Sequence, residues 1–361
     1  MSERILIVAP SWVGDAILSE PLIAVLREPL EEAGVDVLAP PWCAPIYQRM
    51  RGIRNIIENP VGHRELGLAK RRALAKTLRQ HAYTRAFILP NSFKSALIPW
   101  LARIPRRIGY VGEARGMLLN DVRRPDRKEY PRLVDRFVAL AANPGEMLPT
   151  ASAPLLVPNT SNAAEAIRVL GLATRRPVAI FCPGAEFGPA KRWPTEHFAT
   201  LARRLIDSGY SVWVIGSPND QPAADPLAAL VPEIRNASGR TDLGTAIDLL
   251  ATASVVVSND SGLMHAAAAV GVPLVALFGS SSPEYTPPLS QLARVARIDI
   301  VCSPCFQRVC PLGHFKCMRE LSPNVVYDLA RLSVSKSVKV EMIPKVSGSE
   351  NNSTFPDRRP I

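Results

Sequence analysis

The sequence has no apolar run long enough to cross a membrane and no recognisable signal peptide. Its longest apolar stretch, Ala266 to Gly279, is interrupted by Pro273 and falls short of the about 20 residues that a spanning helix needs. Near the start of the chain, Ser11, Gly14 and Asp15 break the short apolar segment that a signal peptide would extend. We therefore expect a soluble cytoplasmic protein, and an apolar content of 47% is ample for buried cores.

Motifs that would point to two familiar classes of ligand are also missing. The sequence contains no Gly-x-Gly-x-x-Gly segment, so it lacks the fingerprint of a dinucleotide-binding fold. It has neither an RNP-type aromatic motif nor the spacing of a zinc finger. Despite a net charge of +11, nucleic-acid binding is therefore not the favoured interpretation.

Positive charge is concentrated in the first part of the chain. Residues 1–150 hold 23 Lys and Arg against 15 Asp and Glu, a net +8, whereas residues 151–361 hold 20 against 17, a net +3. Basic runs occur at Lys70 to Arg72, Arg106 to Arg107 and Arg123 to Lys128. This asymmetry indicates an anionic partner, which is a membrane surface, a phosphorylated substrate or nucleic acid. A solvated helix face explains the first run equally well.

Short apolar runs alternate with helical patterns along most of the chain. Buried strands are predicted at residues 4–9, 35–39, 53–57, 86–89, 107–110, 178–182, 212–215, 255–257 and 274–278. This alternation predicts mostly parallel sheets of the Rossmann type. The segment from Asn143 to Asn159, rich in Pro and Ala, is the best linker, so we predict an N-terminal domain at 1–160 and a C-terminal domain at 161–335. Two such domains facing a cleft form the α/β architecture called GT-B, and residues 336–361 are predicted to be a disordered tail.

The stretch from Ala253 to Gly279 carries the clearest local pattern. A buried strand, a polar turn, a helix and a second strand follow one another, and the turn lies where open α/β sheets bind ligands. The helix start offers free N–H groups and a positive dipole end to an anion such as a diphosphate. Asp260 and His265 are candidate ligand contacts there. Capping of the helix by Asp260 and Ser261 explains the turn equally well.

Other predicted strands also end in polar turns. Asp15 follows the first strand at the start of a helix predicted over residues 16–26, and it is either a helix N-cap or a general base over the cleft. Asn91 follows the strand at 86–89, and a turn rich in Gly and Pro that contains Lys191 follows the strand at 178–182. In each case the polar residues fall on the carboxyl side of a strand, where ligands bind.

Four stretches together resemble the bacterial heptosyltransferases of glycosyltransferase family 9. They are Pro10–Asp15 (PSWVGD), Leu89–Ser95 (LPNSFKS), Cys182–Pro194 (CPGAEFGPAKRWP) and Ser258–His265 (SNDSGLMH). The resemblance implies the GT-B fold and inverting transfer of L-glycero-D-manno-heptose from ADP-heptose onto the first heptose of the lipopolysaccharide inner core. An enzyme of the family that acts on a different core position is the alternative. The alternative outside the enzymes is a protein of the same fold that binds a nucleotide without catalysing a reaction.

The resemblance also implies roles for individual residues. Asp15 would deprotonate the acceptor hydroxyl as it attacks. Lys191, with Arg192 and the backbone amides of Ser261 and Gly262, would stabilise the charge that grows on the leaving ADP. Further donor contacts would be Asp260 and His265 at the heptose or diphosphate, and Ser217, Asp220 and Thr241 near the adenosine. The candidates on the acceptor side are Trp12, Gly14, Asn91, Ser92 and Lys94.

Metal-independent transfer is predicted, because no Asp-x-Asp pair occurs in the sequence to hold a metal-bound diphosphate. Lys191 and the helix dipole would take that role, so no cofactor is required for catalysis. The basic first half fits a phosphorylated lipid acceptor at the inner face of the cytoplasmic membrane. Anionic lipid would attract Arg106, Arg107, Arg123 and Arg124 by about 1 kcal/mol per charge, which implies peripheral membrane association.

Four of the 6 cysteines lie in one short segment: Cys302, Cys305, Cys310 and Cys317. Because stable disulfides are uncommon in the cytoplasm, ligation of a structural zinc is one interpretation of this cluster. Its spacing is not that of a standard zinc finger, and reduced thiols that only pack are the other interpretation. Neither interpretation gives the cluster a part in catalysis.

Overall fold

The computed structural model describes residues 3–28, 34–62, 65–124, 128–143 and 145–341. Within these ranges the chain folds into two α/β domains, each built on a parallel sheet of six strands. The inner strands are buried along their whole length, which explains why they read as continuous apolar runs. The predicted class, α/β with two Rossmann-like domains, is confirmed. No helix in the described ranges combines the length and the hydropathy needed to cross a membrane.

The first domain contains strands β1 to β6 and helices α1 to α6. The strands are β1 Ile5–Val8, β2 Val35–Ala39, β3 Ile53–Glu58, β4 Arg85–Ile88, β5 Arg106–Tyr110 and β6 Asp121–Arg123. The helices are α1 Val13–Leu18, α2 Glu20–Arg27, α3 Ala44–Tyr47, α4 Leu68–Arg79, α5 Phe93–Leu101 and α6 Leu133–Ala139. The order across the sheet is β3-β2-β1-β4-β5-β6, which is the Rossmann order.

The second domain repeats this plan with strands β7 to β12 and helices α7 to α13. The strands are β7 Val178–Cys182, β8 Ser211–Val214, β9 Arg235–Asn236, β10 Val255–Asn259, β11 Leu274–Leu277 and β12 Ala293–Ala296. The helices are α7 Thr160–Val169, α8 Thr195–Asp207, α9 Gln221–Leu230, α10 Leu243–Leu250, α11 Gly262–Ala269, α12 Lys316–Arg319 and α13 Pro323–Glu341. Its order, β12-β11-β10-β7-β8-β9, is the same Rossmann order counted from β7.

Each sheet therefore has one point where the strand order reverses. The reversal lies between β1 and β4 in the first sheet and between β10 and β7 in the second. Open α/β sheets bind ligands outside the carboxyl ends of the strands at such a point. The chain leaves β1 into α1, leaves β10 into α11, and leaves β7 into the turn that contains Lys191.

Helices α1 and α11 join the two domains at these points, because they pack against each other. Gly14 and Gly262 permit the close approach. A Cβ on Gly262 would lie 2.6 Å from Val13 Cβ, and one on Gly14 would lie 2.9 Å from His265 Cδ2. Side chains at either position would push the helices apart. One cluster of buried apolar residues consequently runs from the first sheet into the second; it includes Ile5, Ala16, Val256 and Met264.

A buried ion pair forms a second contact between the domains. Arg49, just beyond α3, donates from Nε and Nη2 to the carboxylate of Asp248 in α10, at 2.7 and 2.5 Å. Asp248 is fully buried and also accepts from Asn159 N at 2.9 Å and from Asn162 Nδ2 at 2.8 Å. Because its hydrogen-bonding capacity is filled, this buried charge is compensated. The pair fixes the start of α7 against both domains.

Two predicted elements differ from the structure. The helix predicted over residues 16–26 is divided at Ser19 into α1 and α2, since Pro21 has no N–H for a continuous helix and Ser19 Oγ bonds Ala16 O at 2.6 Å. Residues 336–341, predicted to begin the disordered tail, instead belong to α13, which continues to Glu341; these residues include neither Gly nor Pro. The rest of that predicted tail, residues 342–361, lies outside the described residues.

Candidate active site

Four of the predicted site residues meet between the two reversal points. Asp15 comes from α1 of the first domain, whereas Lys191, Asp260 and His265 come from the second. The charges of Lys191 and Asp260 act on Asp15 and also on His265, so the four side chains form one electrostatic cluster. The structure thus brings together residues that the sequence placed at separate strand ends.

The ion pair between Lys191 and Asp260 is the central contact of this cluster. Lys191 Nζ lies 2.5 Å from Asp260 Oδ2, and the two side chains are 16% and 4% exposed. Ser281, in the turn after β11, donates its hydroxyl to the same oxygen. The Lys191 ammonium also lies 4.9 Å from the centre of the Phe187 ring, a cation–π contact. No side chain makes a capping hydrogen bond to α11, so the interpretation that Asp260 and Ser261 only cap this helix is wrong.

Asp15 lies near the start of α1. It is the third residue of α1, whose N-cap is Trp12, so the N-cap interpretation is wrong for Asp15. Its carboxylate accepts no hydrogen bond from the described residues. Burial raises the pKa of Asp15 to about 6, against the opposing charge of Lys191 and with a contribution from Asp260. A carboxylate without partners and with this pKa can take the proton of a bound hydroxyl near neutral pH.

His265 is buried in α11 and packs against Gly14. Burial lowers the pKa of His265 to about 4, although Asp260 opposes that shift. The imidazole is therefore neutral at neutral pH. It can offer one N–H or one lone pair to a ligand, but it brings no positive charge to a diphosphate.

The start of α11 lies directly after Asp260 in the chain. Ser261 is its N-cap residue and Gly262 its first helical residue. Ser261 Oγ lies 3.4 Å from Ser258 Oγ and makes no bond to the helix. The N–H groups of the first turn therefore have no side-chain cap, and the positive end of the helix dipole stands beside the ion pair.

Several buried polar atoms in turns that follow strands of the second sheet have no partner among the described residues. They include Arg192 Nε, Ser238 Oγ, Thr241 Oγ1 and Ser280 Oγ. Buried polar atoms are nearly always hydrogen-bonded in native proteins, so orphans of this kind indicate a place where a ligand or water binds. Ser238 Oγ lies close to Gly216, since a Cβ there would be 2.7 Å away.

Ser217 and Asp220 are occupied with each other. Asp220 Oδ2 accepts from Ser217 N and from Ser217 Oγ, both at 2.8 Å, and the two residues form a capping box. Asp220 Oδ1 faces the turn after β7, because a Cβ on Gly184 would lie 2.0 Å from it. The structure therefore gives both residues a local capping role.

The candidates on the acceptor side fall in different places. Ser92 and Lys94 line a cavity at the carboxyl ends of β1, β2 and β4. The cavity is also lined by Ser11, Trp42, Asn59 and Arg71. Asn91 instead accepts a hydrogen bond from buried Arg115 at 3.1 Å. Trp12 is 48% exposed at the start of α1.

Three of the four arginines predicted to attract lipid are engaged within the first domain. Arg106 and Arg123 both pair with Asp121, and Arg107 donates to the main-chain oxygens of Leu118 and Ile104. The Arg106–Asp121 pair joins β5 to β6, whereas attraction of the four arginines to lipid stays a prediction.

Sequence reasoning missed three residues that build the site. Asn259, at the end of β10, is fully buried; it accepts from Trp193 N at 3.1 Å and donates to Pro183 O at 2.7 Å. It thereby ties both ends of the Lys191-containing turn to β10. Ser281 and Phe187 contact the ion pair directly. Ser281 lies in a run of serines at the carboxyl end of β11. Polar residues at the carboxyl ends of strands were the signal that identified Asp260, and the same signal could have identified Ser281.

The four clustered cysteines are reduced and lie near one another. Burial raises the pKa of the Cys317 thiol, and Cys305, Cys310 and Cys302 raise it further. Across the described ranges, no group of three or more His, Cys, Asp and Glu already stands at metal-binding geometry. The zinc interpretation therefore remains a prediction at this point.

The chain is similar to known proteins over most of its length. The family model for glycosyltransferase family 9 (heptosyltransferase) matches residues 71–316. Lipopolysaccharide heptosyltransferase 2 of Escherichia coli K12 is 47% identical over 306 residues, which cover 82% of this chain and 88% of that protein. Lipooligosaccharide heptosyltransferase 2 of Haemophilus influenzae is 46% identical over 309 residues, with the same shares covered, 82% and 88%.

The fold comparison extends this likeness to both domains. The solved structure of E. coli ADP-heptose lipopolysaccharide heptosyltransferase II matches with a TM-score of 0.83 at 40% identity. The match covers 93% of this chain and 99% of that chain. From its sequence and its fold, the chain belongs to glycosyltransferase family 9, the heptosyltransferases.

Proposed function

We propose that the protein moves L-glycero-D-manno-heptose from ADP-heptose to the first heptose of the lipopolysaccharide inner core, with inversion. The observation that carries this proposal is the meeting of Asp15 with the buried Lys191–Asp260 pair. Relatives named heptosyltransferase 2, at 47% and 46% identity, support the choice of sugar and acceptor. A protein that only bound nucleotide would not need a partner-free carboxylate on the opposite wall of the cleft.

Asp15 acts as the general base. The acceptor hydroxyl oxygen attacks the anomeric carbon of the heptose while its proton passes to the Asp15 carboxylate. The bond from that carbon to the phosphate oxygen breaks, and its electron pair leaves with ADP. Inversion requires the base and the leaving group on opposite sides of the sugar, and Asp15 and Lys191 reach the site from different domains. A single displacement across the cleft inverts the anomeric centre.

Lys191 stabilises the leaving ADP. In the free protein its ammonium pairs with Asp260, and a diphosphate with its larger negative charge competes for that ammonium. Negative charge grows on the phosphate oxygen as the glycosidic bond breaks, and a preorganised cation beside a helix start stabilises it. Arg192, whose Nε is buried without a partner, extends the same anion site together with the amides of Ser261 and Gly262.

The nucleoside lies farther along the second sheet, beyond the diphosphate. Thr241 Oγ1 and Ser238 Oγ are buried without partners and offer hydroxyls to the ribose or the adenine. Gly216 keeps the space beside Ser238 free of a side chain. The capping box of Ser217 and Asp220 shapes this pocket and holds its wall.

The first domain receives the acceptor at an anionic membrane surface. Helices α4 and α5 pack together, and Leu68 in α4, Trp100 in α5 and Leu66 just before α4 expose apolar side chains. Basic residues lie among these on the same helices or beside them: Lys70, Arg72, Lys76 and Arg79. The cavity lined by Ser92 and Lys94 borders both helices. This face (the α4–α5 face) is suited to phosphorylated lipid, and the cavity to the sugar attached to it.

Acceptor choice tests the proposed function directly. With ADP-heptose and with EDTA present, the protein is expected to glycosylate Kdo2-lipid A that carries one heptose and to leave bare Kdo2-lipid A unchanged. Product is measured by mass spectrometry, and adding Mg²⁺ in place of EDTA is expected to leave the rate unchanged, since Lys191 supplies the charge. Transfer to bare Kdo2-lipid A would indicate a type I enzyme, and transfer only to longer cores a type III enzyme. No transfer to any of them contradicts the assigned sugar.

The role of Asp15 predicts a pH dependence. Since the base must be ionised and the pKa of Asp15 is about 6, kcat/KM should fall as the pH drops through about 6. Asp15→Asn should lower kcat by roughly 10² or more while ADP binding is retained. Asp135→Asn, which removes a carboxylate paired with Arg132 in the same domain, is the control. Unchanged turnover in Asp15→Asn would remove this residue from the base role.

The α4–α5 face predicts charge-dependent binding to membranes. The protein should sediment with phosphatidylglycerol vesicles and not with phosphatidylcholine vesicles. The double substitution Arg72→Glu and Lys76→Glu should weaken that binding at least about tenfold, at about 1 kcal/mol for each basic residue lost. Arg175→Glu with Arg176→Glu makes the same charge change on the second domain and serves as the control. Equal loss in both double variants would show non-specific attraction and contradict this face.

A further inference from the structure

The segment between β12 and α12, residues 301–315 (the β12–α12 loop), exposes a group of large apolar side chains. Phe306 is 54% exposed, Val309 59% and Leu312 62%, and Val301 is fully exposed. Single apolar side chains at a protein surface are ordinary, whereas several in one place mark a site of interaction with another protein or with a membrane. The β12–α12 loop therefore has the composition of a docking surface.

The backbone of this loop is fixed by polar contacts. Phe306 N donates to Ser280 O at 2.6 Å, and Ala190 N donates to Arg308 O at 3.0 Å. A Cβ on Gly188 would lie 2.4 Å from that same Arg308 oxygen, so the two backbones touch. Because hydrogen bonds hold the loop against the domain, its apolar side chains point away from the core and are available to a partner.

The loop lies at the edge of the cleft on the second domain. The two turns that it contacts both border the proposed donor site. Ala190 directly precedes Lys191, and Ser280 directly precedes Ser281, whose hydroxyl donates to Asp260. In the proposed function the acceptor is a sugar attached to a lipid, and it has to enter this cleft from a membrane.

The charge of the loop is positive throughout. The sequence has no acidic residue between Asp299 and Glu320, and that interval contains Arg308, Lys316 and Arg319. In the part of the chain that the structure describes, neither arginine pairs with a carboxylate. Lys316 approaches Glu320 at 4.0 Å, with both side chains more than half exposed. Pairs this exposed are weak, so most of the positive charge is available to an anionic partner.

An anionic bilayer matches both properties of the loop. Its headgroups supply negative charge, and the boundary of its acyl chains takes up apolar side chains. A second copy of the chain is a poorer partner, because it would bring the same positive loop and a net charge of +11 to the contact.

We propose that the β12–α12 loop is a membrane contact of the second domain. Its exposed apolar side chains insert at the boundary between headgroups and acyl chains, and its three basic side chains contact the lipid phosphates. With the α4–α5 face on the first domain, each domain then has its own contact with the membrane. The purpose of this second contact, which is to hold the cleft at the surface where the acceptor lies, rests on the proposed function.

Substitution of the two most exposed side chains between residues 306 and 312 tests the contact. Val309→Ser with Leu312→Ser should weaken binding to phosphatidylglycerol vesicles roughly tenfold in sedimentation, since less apolar surface leaves water. Val169→Ser with Leu332→Ser removes side chains that are 61% and 56% exposed elsewhere on the second domain and should leave binding unchanged. Unchanged binding in the loop variant, or an equal loss in both variants, overturns the proposal.

A tryptophan in the loop reports insertion directly. Leu312→Trp is mixed with phosphatidylglycerol vesicles whose acyl chains carry bromine, which quenches an indole that reaches them. Quenching should exceed that of the unsubstituted protein at least about twofold, whereas Leu332→Trp should show no such excess. No excess quenching in Leu312→Trp would show that the loop stays in water and would overturn the proposal.

Two forms of the acceptor separate this contact from the proposed function. The double variant Val309→Ser with Leu312→Ser should have a KM raised several-fold for heptose-bearing Kdo2-lipid A in vesicles. It should keep the parent's rate with the same acceptor after its acyl chains are removed, because that acceptor is not presented by a membrane. An equal effect on both acceptors contradicts a membrane role. If the unsubstituted protein transfers to neither acceptor, the proposed function fails, whereas vesicle binding and quenching still decide the loop.

Discussion

The ion pair between Lys191 and Asp260 is the contact on which the rest of the site depends. Both side chains are mostly buried, and a buried pair stabilises little unless its remaining hydrogen-bonding capacity is filled. Here Ser281 bonds Asp260 and the Phe187 ring lies under the ammonium. The pair therefore keeps a cation desolvated and positioned before any ligand arrives. A leaving diphosphate needs a preorganised charge of this kind.

The fold explains why these groups can meet. Each sheet presents its reversal point at the carboxyl ends of its strands, and α1 and α11 bring the two points together through Gly14 and Gly262. Asp15 enters from the first domain, where burial and a nearby carboxylate leave it with a raised pKa. In the proposed function, one domain thus carries the base and the other the leaving-group cation. Both domains have the same strand order, so their ligand-binding edges can face each other across the cleft.

Much of the fold and part of the site follow from the sequence. Parallel strands buried on both faces have continuous apolar sequences, so β1, β2, β7, β10 and β11 were predictable. Asp15, Lys191 and Asp260 were predictable because they are polar residues that follow the carboxyl ends of strands. Contacts between distant segments were not predictable. Asp260 bonds Lys191 and Ser281, which are distant in the chain, instead of capping its own helix. These partners follow different strands, so their contacts depend on how the strands are aligned in the sheet. A local sequence pattern does not contain that alignment.

Lys191→Ala tests most directly whether this ion pair is the leaving-group device. Single-turnover transfer and ADP binding by calorimetry would be compared with those of Lys316→Ala, an exposed lysine of the same domain. The account predicts weaker ADP binding and transfer slowed by roughly 10² or more in Lys191→Ala, because the lost charge stabilises the bound diphosphate and stabilises the transition state still more. A variant that binds ADP and turns over as the parent does, with only the acceptor KM raised, would place Lys191 on the acceptor side and contradict the account.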